Sequence, residues 1–332
     1  MKEKKLTDCY KRVIDYVRIS IIDGCNLACT YCMPNGNGCK KITTLSKEEI
    51  VCMGRAFANC GIKKIKLTGG EPLLHKDIIS IVKELTSISG IDQVTLTTNG
   101  ILLENKVKLL KEAGIFAINV SLDTLDEEEY KHITGQYGVE KVLNSIKACV
   151  EHNIPVKINC VPMKGYNHDS YIRLVELAKK YPVDVRFIEM MPIGYGKNFM
   201  PVKQEEIEEK LKSKYGMFYP YHGTKGNGPA TYIQWKETEN SKWKGNVGFI
   251  SAVSHEFCDS CNRVRVTSDG VLKLCLCFGK GIDLKKYINE SDLRQLEEVI
   301  KQGILEKPKH HNFNTKDGSL ENEQKNMWEI GG

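Results

Sequence analysis

An α/β fold is expected: an incomplete (β/α)6 barrel followed by a smaller C-terminal domain. From about residue 16 to 190, short β-branched runs alternate with amphipathic helical stretches. Repeated β-α-β units with right-handed crossovers give a parallel sheet clad in helices. Six such units fall short of the eight that close a full barrel, so a cleft stays open for a large ligand. After about residue 215 the alternation stops and Gly and aromatic residues become frequent, from Tyr215 to Gly248. A soft boundary therefore lies near 215–220, dividing 10–218 from 219–332.

The strand candidates are Tyr16–Ile22, Lys63–Leu67, Gln93–Thr97, Phe116–Ser121, Val156–Val161 and Asp184–Glu189. Helical patterns run over 46–59, 76–88, 104–113, 139–152 and 170–180. The first opens with Ser46 and Glu49 at capping-box spacing. Beyond the boundary come a short β-rich segment, a second cysteine group, a charged helix near 290–302 and a polar tail.

Composition narrows the class. A chain of 332 residues with 41% hydrophobic and 27% charged residues is that of an ordinary globular protein. No apolar run approaches the roughly 18 residues that span a bilayer, and the opening MKEKKLTDCYKRV lacks the apolar core of a secretory signal. A cytoplasmic protein that binds no membrane is expected. The net charge of +6 is mild and shows no basic block, which argues against a nucleic-acid partner. Thirteen cysteines is an odd number, and a reducing compartment disfavours structural disulfides. Six fall into two tight groups, Cys25/Cys29/Cys32 and Cys258/Cys261/Cys275. Most of the others (Cys9, Cys39, Cys52, Cys60, Cys149, Cys160, Cys277) read as small buried hydrophobes; Cys277, two residues from Cys275, is left open.

Cys25-Asn-Leu-Ala-Cys29-Thr-Tyr31-Cys32 follows the first strand, at the carboxyl end of the sheet where βα loops build active sites. Three close thiolates can each bind one iron of a [4Fe–4S] cube and leave the fourth iron open. Zinc is the alternative, and would want a fourth ligand; Cys39 is the nearby candidate. Downstream, Gly69-Gly70-Glu71-Pro72 directly follows the second strand, where small residues let backbone approach a ligand closely. This CxxxCxxC with an aromatic before its last cysteine, followed by GGE, resembles the radical S-adenosylmethionine (SAM) superfamily. The resemblance implies a radical SAM partial barrel at 10–218 with an N-terminal [4Fe–4S] cluster. It also implies SAM as cofactor, with the GGE motif meeting its amino group. The reduced cluster of that superfamily donates one electron to the sulfonium, releasing methionine and a 5′-deoxyadenosyl radical.

Phe257-Cys258-Asp-Ser-Cys261-Asn-Arg263-Val-Arg265 precedes Cys275 and forms a second group of three thiolates. Taken alone it suits a structural zinc or an electron-relay cluster, with His255 or Cys277 as a fourth ligand. With the first motif, it resembles the MoaA family of GTP 3′,8-cyclases, over nearly the whole chain. That likeness implies a C-terminal domain, 219–332, carrying a second [4Fe–4S] cluster that binds GTP through its open iron. Arg263 and Arg265 then hold the nucleotide as guanidinium forks. The terminal Gly331-Gly332 matches a family tail that reaches into the active cavity, and these four are the catalytic candidates.

Further positions carry over singly. Tyr31, Gly69, Gly70, Glu71, Ser121 and Met191 fall at SAM-contacting positions. Arg18, Lys66, Thr97 and Lys157 fall at GTP-contacting ones. Two depart from the family pattern: Lys66 replaces an Arg, keeping the charge and losing the fork, and Gly24 stands where Arg is common. The implied reaction takes hydrogen from C3′ of GTP and closes a bond from C3′ to C8 of guanine. The implied partners are GTP, a flavodoxin- or ferredoxin-type reductant and a downstream cyclic pyranopterin monophosphate synthase, with the enzyme a monomer or homodimer. Two rivals are a radical SAM peptide maturase with auxiliary clusters and an iron–sulfur electron carrier.

Overall fold

The computed structural model describes residues 5–36, 41–167, 170–223, 225–226, 228–235, 243–289, 293–313 and 322–331. Six parallel strands lie side by side in chain order: β1 (Tyr16–Ser20), β2 (Lys64–Thr68), β3 (Gln93–Thr98), β4 (Ala117–Ser121), β5 (Val156–Cys160) and β6 (Val183–Ile188). Helices α1 (Lys47–Cys60), α2 (Ile78–Thr86), α3 (Val107–Glu112), α4 (Glu127–Thr134), α5 (Val139–Glu151) and α6 (Val175–Lys180) fill the crossovers. The ends of all six strands agree with the sequence reading to within about two residues, the scatter of fraying termini. The capping box is formed as expected. Ser46 Oγ accepts from the Glu49 amide at 3.1 Å, and Glu49 accepts from the Ser46 amide at 2.7 Å.

Four helices escaped the sequence reading: two very short ones, Lys285–Asn289 and Met327–Ile330, and two longer ones. Helix α4 is short and acidic, capped by Asp126, which accepts from the Glu128 and Glu129 amides. Helix α7 (Gln204–Tyr215) is charged nearly all round and buries only Ile207 and Leu211. Two expected helices begin as 3₁₀ turns, over Glu104–Lys106 and Tyr171–Leu174, which shortens their α-helical parts.

The C-terminal region extends both edges of the same sheet. Beyond β6 come β9 (Val247–Ile250), β8 (Thr231–Trp235) and β7 (Phe218–Pro220); beyond β1 come β10 (Arg263–Val266), β11 (Val271–Lys273) and β12 (Ile282–Asp283). β9 is parallel to β6 and β10 is parallel to β1, so these strands continue the barrel wall. Helices α8 (Lys285–Asn289) and α9 (Leu293–Leu305) cover this edge, α9 against α1, and a short α10 (Met327–Ile330) ends the chain.

Strand residues of one parity face the helices and are apolar: Val17 and Ile19, Ile65 and Leu67, Ile158 and Cys160 are all fully buried. Each such aliphatic contributes about 1.5–3 kcal/mol of transfer energy. The other parity turns into the barrel and is polar, through Arg18, Lys66, Thr97, Asn119, Lys157 and Arg186. The barrel interior is thus built for a polar ligand. Among the described residues, no helix is long and apolar enough to cross a membrane.

Candidate active site

The first cysteine group hangs from β1 and is pinned to α4: the Ala28 and Thr30 amides donate to the Thr134 and Ile133 carbonyls at 2.8 and 2.9 Å. Burial raises all three thiols, Cys25 to about 11, Cys32 to about 12 and Cys29 well above its ordinary range, and the sulfurs repel one another as anions. Left alone they stay protonated; a polycationic iron centre would draw them into the thiolate form. The glycines of GGE are demanded by geometry. A Cβ on Gly69 would lie 2.3 Å from the Ile22 carbonyl, and one on Gly70 would lie 2.3 Å from that of Gly24. Glu71 is fully buried, with its carboxylate accepting from the Leu73 and Asn99 amides and the Thr98 hydroxyl at 2.8–3.0 Å. Burial lifts it to about 7. It braces the loop behind the wall and does not line the cavity, whereas Gly69 and Gly70 do.

Cys258 and Cys261 sit on a 3₁₀ turn just before β10, and Cys275 follows β11. Burial raises Cys258, and Cys275 and Cys261 add to the shift. Burial also acts on Cys261, but Lys307, Arg263 and Arg12 outweigh it and lower that thiol. Of the two fourth-ligand candidates, Cys277 is buried with its thiol donating to Asn312 Oδ1 at 2.8 Å, and His255 is exposed beside Glu205. Glu256 and His310 bring ligand atoms within 4.8 Å of the Cys258 sulfur, but both are exposed and neither lines the cavity.

Between the two groups lies a cavity of about 430 Å³ lined by all six cysteines. Register sets its cationic wall: Lys273, Arg265, Arg18 and Lys66 are successive Cα partners across β11, β10, β1 and β2. Partners in register share a face, so four cations are aligned. Lys157 and Arg186 complete the ring from β5 and β6. Burial lowers Lys66 well below its ordinary range, helped by Arg18, Arg186, Lys157 and Arg263; burial and the neighbouring cations also lower Arg18, Arg265 and, to about 8, Lys157. Arg18 Nε, Arg263 Nε and Thr97 Oγ1 are buried without hydrogen-bond partners. Buried orphan donors among massed cations fit a polyanionic ligand.

The C-terminal tail enters this space. The Trp328 amide bonds the Cys32 sulfur. Arg265 donates to the Gly331 carbonyl, and a Cβ on Gly331 (φ +80°) would lie 2.9 Å from Ser20. Only glycine fits there. A buried ion pair, Lys273 to Glu323 at 2.5 Å, fastens the incoming tail to β11.

Tyr31, Ser121, Met191, Arg18, Lys66, Thr97, Lys157, Arg263 and Arg265 all line the cavity. Tyr31 donates to Asp123 at 2.8 Å, and Lys157 donates to the Lys225 carbonyl. Gly332 lies outside the described residues, as does Cys39. Cys60, Cys149 and Cys160 are buried thiols as expected, Cys52 is half-buried and Cys9 is exposed; Cys277, left open by the sequence, is buried and lines the cavity. At Gly24, a Cβ would press on Ile42 at 2.8 Å. Sequence reasoning missed Arg186, held by Asn159 Oδ1 at 2.6 and 2.9 Å, and Lys273. Strand alternation was the available signal: Arg186 is on the inward parity with Ile188, and Lys273 is the partner of Arg265.

The chain resembles known proteins over both of its halves. The family model of the Radical SAM superfamily matches residues 19–178, and that of Molybdenum Cofactor Synthesis C matches 183–313. The chain is 44% identical to a GTP 3′,8-cyclase of Clostridium perfringens (strain SM101 / Type A), over 98% of this chain and all of the relative. It is 40% identical to a GTP 3′,8-cyclase of Pelotomaculum thermopropionicum, over 93% and 95%. Among solved structures, Streptococcus suis SuiB bound to S-adenosylmethionine superposes with a TM-score of 0.63 at 16% identity, over 90% of this chain and 69% of that one. That likeness speaks for the fold alone.

Proposed function

The chain belongs to the GTP 3′,8-cyclases of the radical SAM superfamily, and on that premise we propose that it converts GTP to (8S)-3′,8-cyclo-7,8-dihydroguanosine 5′-triphosphate. This is the first step of molybdenum cofactor biosynthesis. The observation that carries the reading is one cavity lined by both cysteine groups with a ring of cations between them.

The cofactors are SAM and a [4Fe–4S] cluster, held in this reading by Cys25, Cys29 and Cys32. We add a second [4Fe–4S] cluster on Cys258, Cys261 and Cys275; of these, Cys261 is lowered towards its thiolate by Lys307, Arg263 and Arg12. When bound and reduced, the first cluster with SAM supplies a 5′-deoxyadenosyl radical. The residues of the chain do the positioning. Gly69 and Gly70 offer bare backbone to the amino group of SAM, with Tyr31, Ser121 and Met191 around the rest of it. Arg18, Lys66, Thr97, Lys157, Arg263 and Arg265, joined by Arg186, take GTP, with Arg18, Thr97 and Arg263 offering buried polar atoms that have no partner in the protein. Gly331 fills space beside the substrate and keeps water from it, and the family likeness extends that role to Gly332. Holding C3′ near the radical and C8 near C3′ is an effective-concentration task, worth several kcal/mol (about 7–11 at best).

Residues 10–218 and 219–332 are the two working halves, one cysteine group each. The enzyme works in the cytoplasm as a monomer or homodimer. It takes electrons from a flavodoxin- or ferredoxin-type protein and passes its product to a cyclic pyranopterin monophosphate synthase. The test is anaerobic reconstitution, iron counting, then incubation with SAM, GTP and reductant. About eight irons per chain and a product isomeric with GTP are expected. Zinc in either site, or SAM cleavage without a GTP product, would overturn the reading.

A further inference from the structure

We infer that Arg12 is the positioning residue of the second cysteine loop, tying it to the segment that packs beside it. The inference rests on the second-cluster reading above. Arg12 precedes the barrel, on a hairpin whose arms meet at the Thr7–Val13 bridge and at the bond from the Ile14 amide to the Leu6 carbonyl, 2.8 Å. Leu6 and Ile14 anchor the hairpin in the core. Asp8 closes its turn by accepting from the Tyr10 and Arg12 amides at 2.9 and 3.0 Å, and Lys11 takes a left-handed φ of 65° there. The hairpin is therefore a fixed platform.

From it the guanidinium reaches across the chain. Nε pairs with Asp8 at 2.6 Å. Nη1 donates to the carbonyls of Cys258 and Lys309 at 2.8 Å each, and Nη2 donates to that of Pro308 at 2.7 Å. The side chains of Arg12 and Asp8 are only 6% and 0% exposed. One planar fork thus joins the backbone of a cysteine ligand to the strand of chain leading to His311. The His311 amide in turn bonds the Cys258 sulfur, and its Nε2 lies 2.8 Å from the Ala252 carbonyl. Arg12 does not line the cavity, so its contribution passes through the position of Cys258. A lysine ammonium has the charge but not the rigid fork that spans the carbonyls on two segments.

The test compares wild-type enzyme with Arg12→Gln and Arg12→Lys after anaerobic reconstitution. It reads iron content, the electron paramagnetic resonance of the reduced protein with and without GTP, and SAM cleavage. Arg12→Gln should hold about half the iron and lose the GTP-sensitive signal, while still releasing 5′-deoxyadenosine. Arg12→Lys should keep some second-site iron but bind GTP about tenfold more weakly, the scale of outer-shell changes. If Arg12→Gln keeps full iron, an unchanged GTP-sensitive spectrum and wild-type KM for GTP, the inference is wrong. If it loses both sites and SAM cleavage together, Arg12 serves folding in general and the inference is also wrong. A wild-type protein with iron at one site only would instead refute the second-cluster reading beneath it.

Discussion

Lys66 sits between Arg18 on β1 and Thr95 on β3, buried among cations that lower its pKa well below the usual lysine range. Its charge is a liability until an anion arrives. Lys66→Met should therefore raise the urea midpoint of the ligand-free protein and weaken GTP binding about tenfold or more, the worth of a charge-assisted hydrogen bond. The sign with pH follows from linkage. A depressed lysine binds fewer protons folded than unfolded, so the penalty weighs most at low pH and fades as pH rises towards 10.5. The stability gap between variant and wild type should narrow in that direction. An unchanged gap would separate Lys66 from the cationic ring. At this scale the cysteines were legible because metal ligands must recur at short fixed spacing. Arg186 was not, because a lone arginine in an apolar strand looks the same whether it faces helices or cavity. Glu71 was legible as part of a motif, but its bonds to Thr98 and Asn99 depend on β3 lying alongside.

Among elements, the tail and the second cysteine loop have the most to test. Glu323 is paired with Lys273 at side-chain exposures of 3% and 4%. Removing one partner strands the other charge in the interior, at about 3–5 kcal/mol. Glu323→Ala should loosen the tail to carboxypeptidase and depress product formation as far as deleting Gly331 and Gly332 does, with iron content unchanged. Full activity in either variant would make the tail dispensable. Cys275→Ser should remove about one cube of iron and abolish cyclisation while uncoupled SAM cleavage persists; retained cyclisation would show that Cys275 is not an essential ligand. The six barrel strands were readable as β-branched runs punctuated by helices. α4 and α7 were not, since their apolar stripes are only a few residues wide. Nor was the placement of β9 and β10 on opposite edges of the sheet. Pairing between strands far apart in the chain, Val185 with Val247 and Tyr16 with Arg263, leaves no local mark.

For the molecule as a whole, the C-terminal strands matter because they bend one sheet around one space. β10 carries Arg263 and Arg265 to the side of Arg18, and β11 brings Lys273 and then Cys275. β9 closes against β6 on the far side. Two cysteine groups more than two hundred residues apart thereby open into the same cavity. A shared cavity allows a radical made at one end to meet a nucleotide held at the other without passing through water. That claim has a direct test: incubating the reconstituted enzyme with SAM, reductant and GTP carrying deuterium at C3′, then weighing the released 5′-deoxyadenosine. One deuterium transferred from GTP is the expected result. Unlabelled 5′-deoxyadenosine formed alongside cyclised product would mean that the two ligands do not meet as the cavity implies.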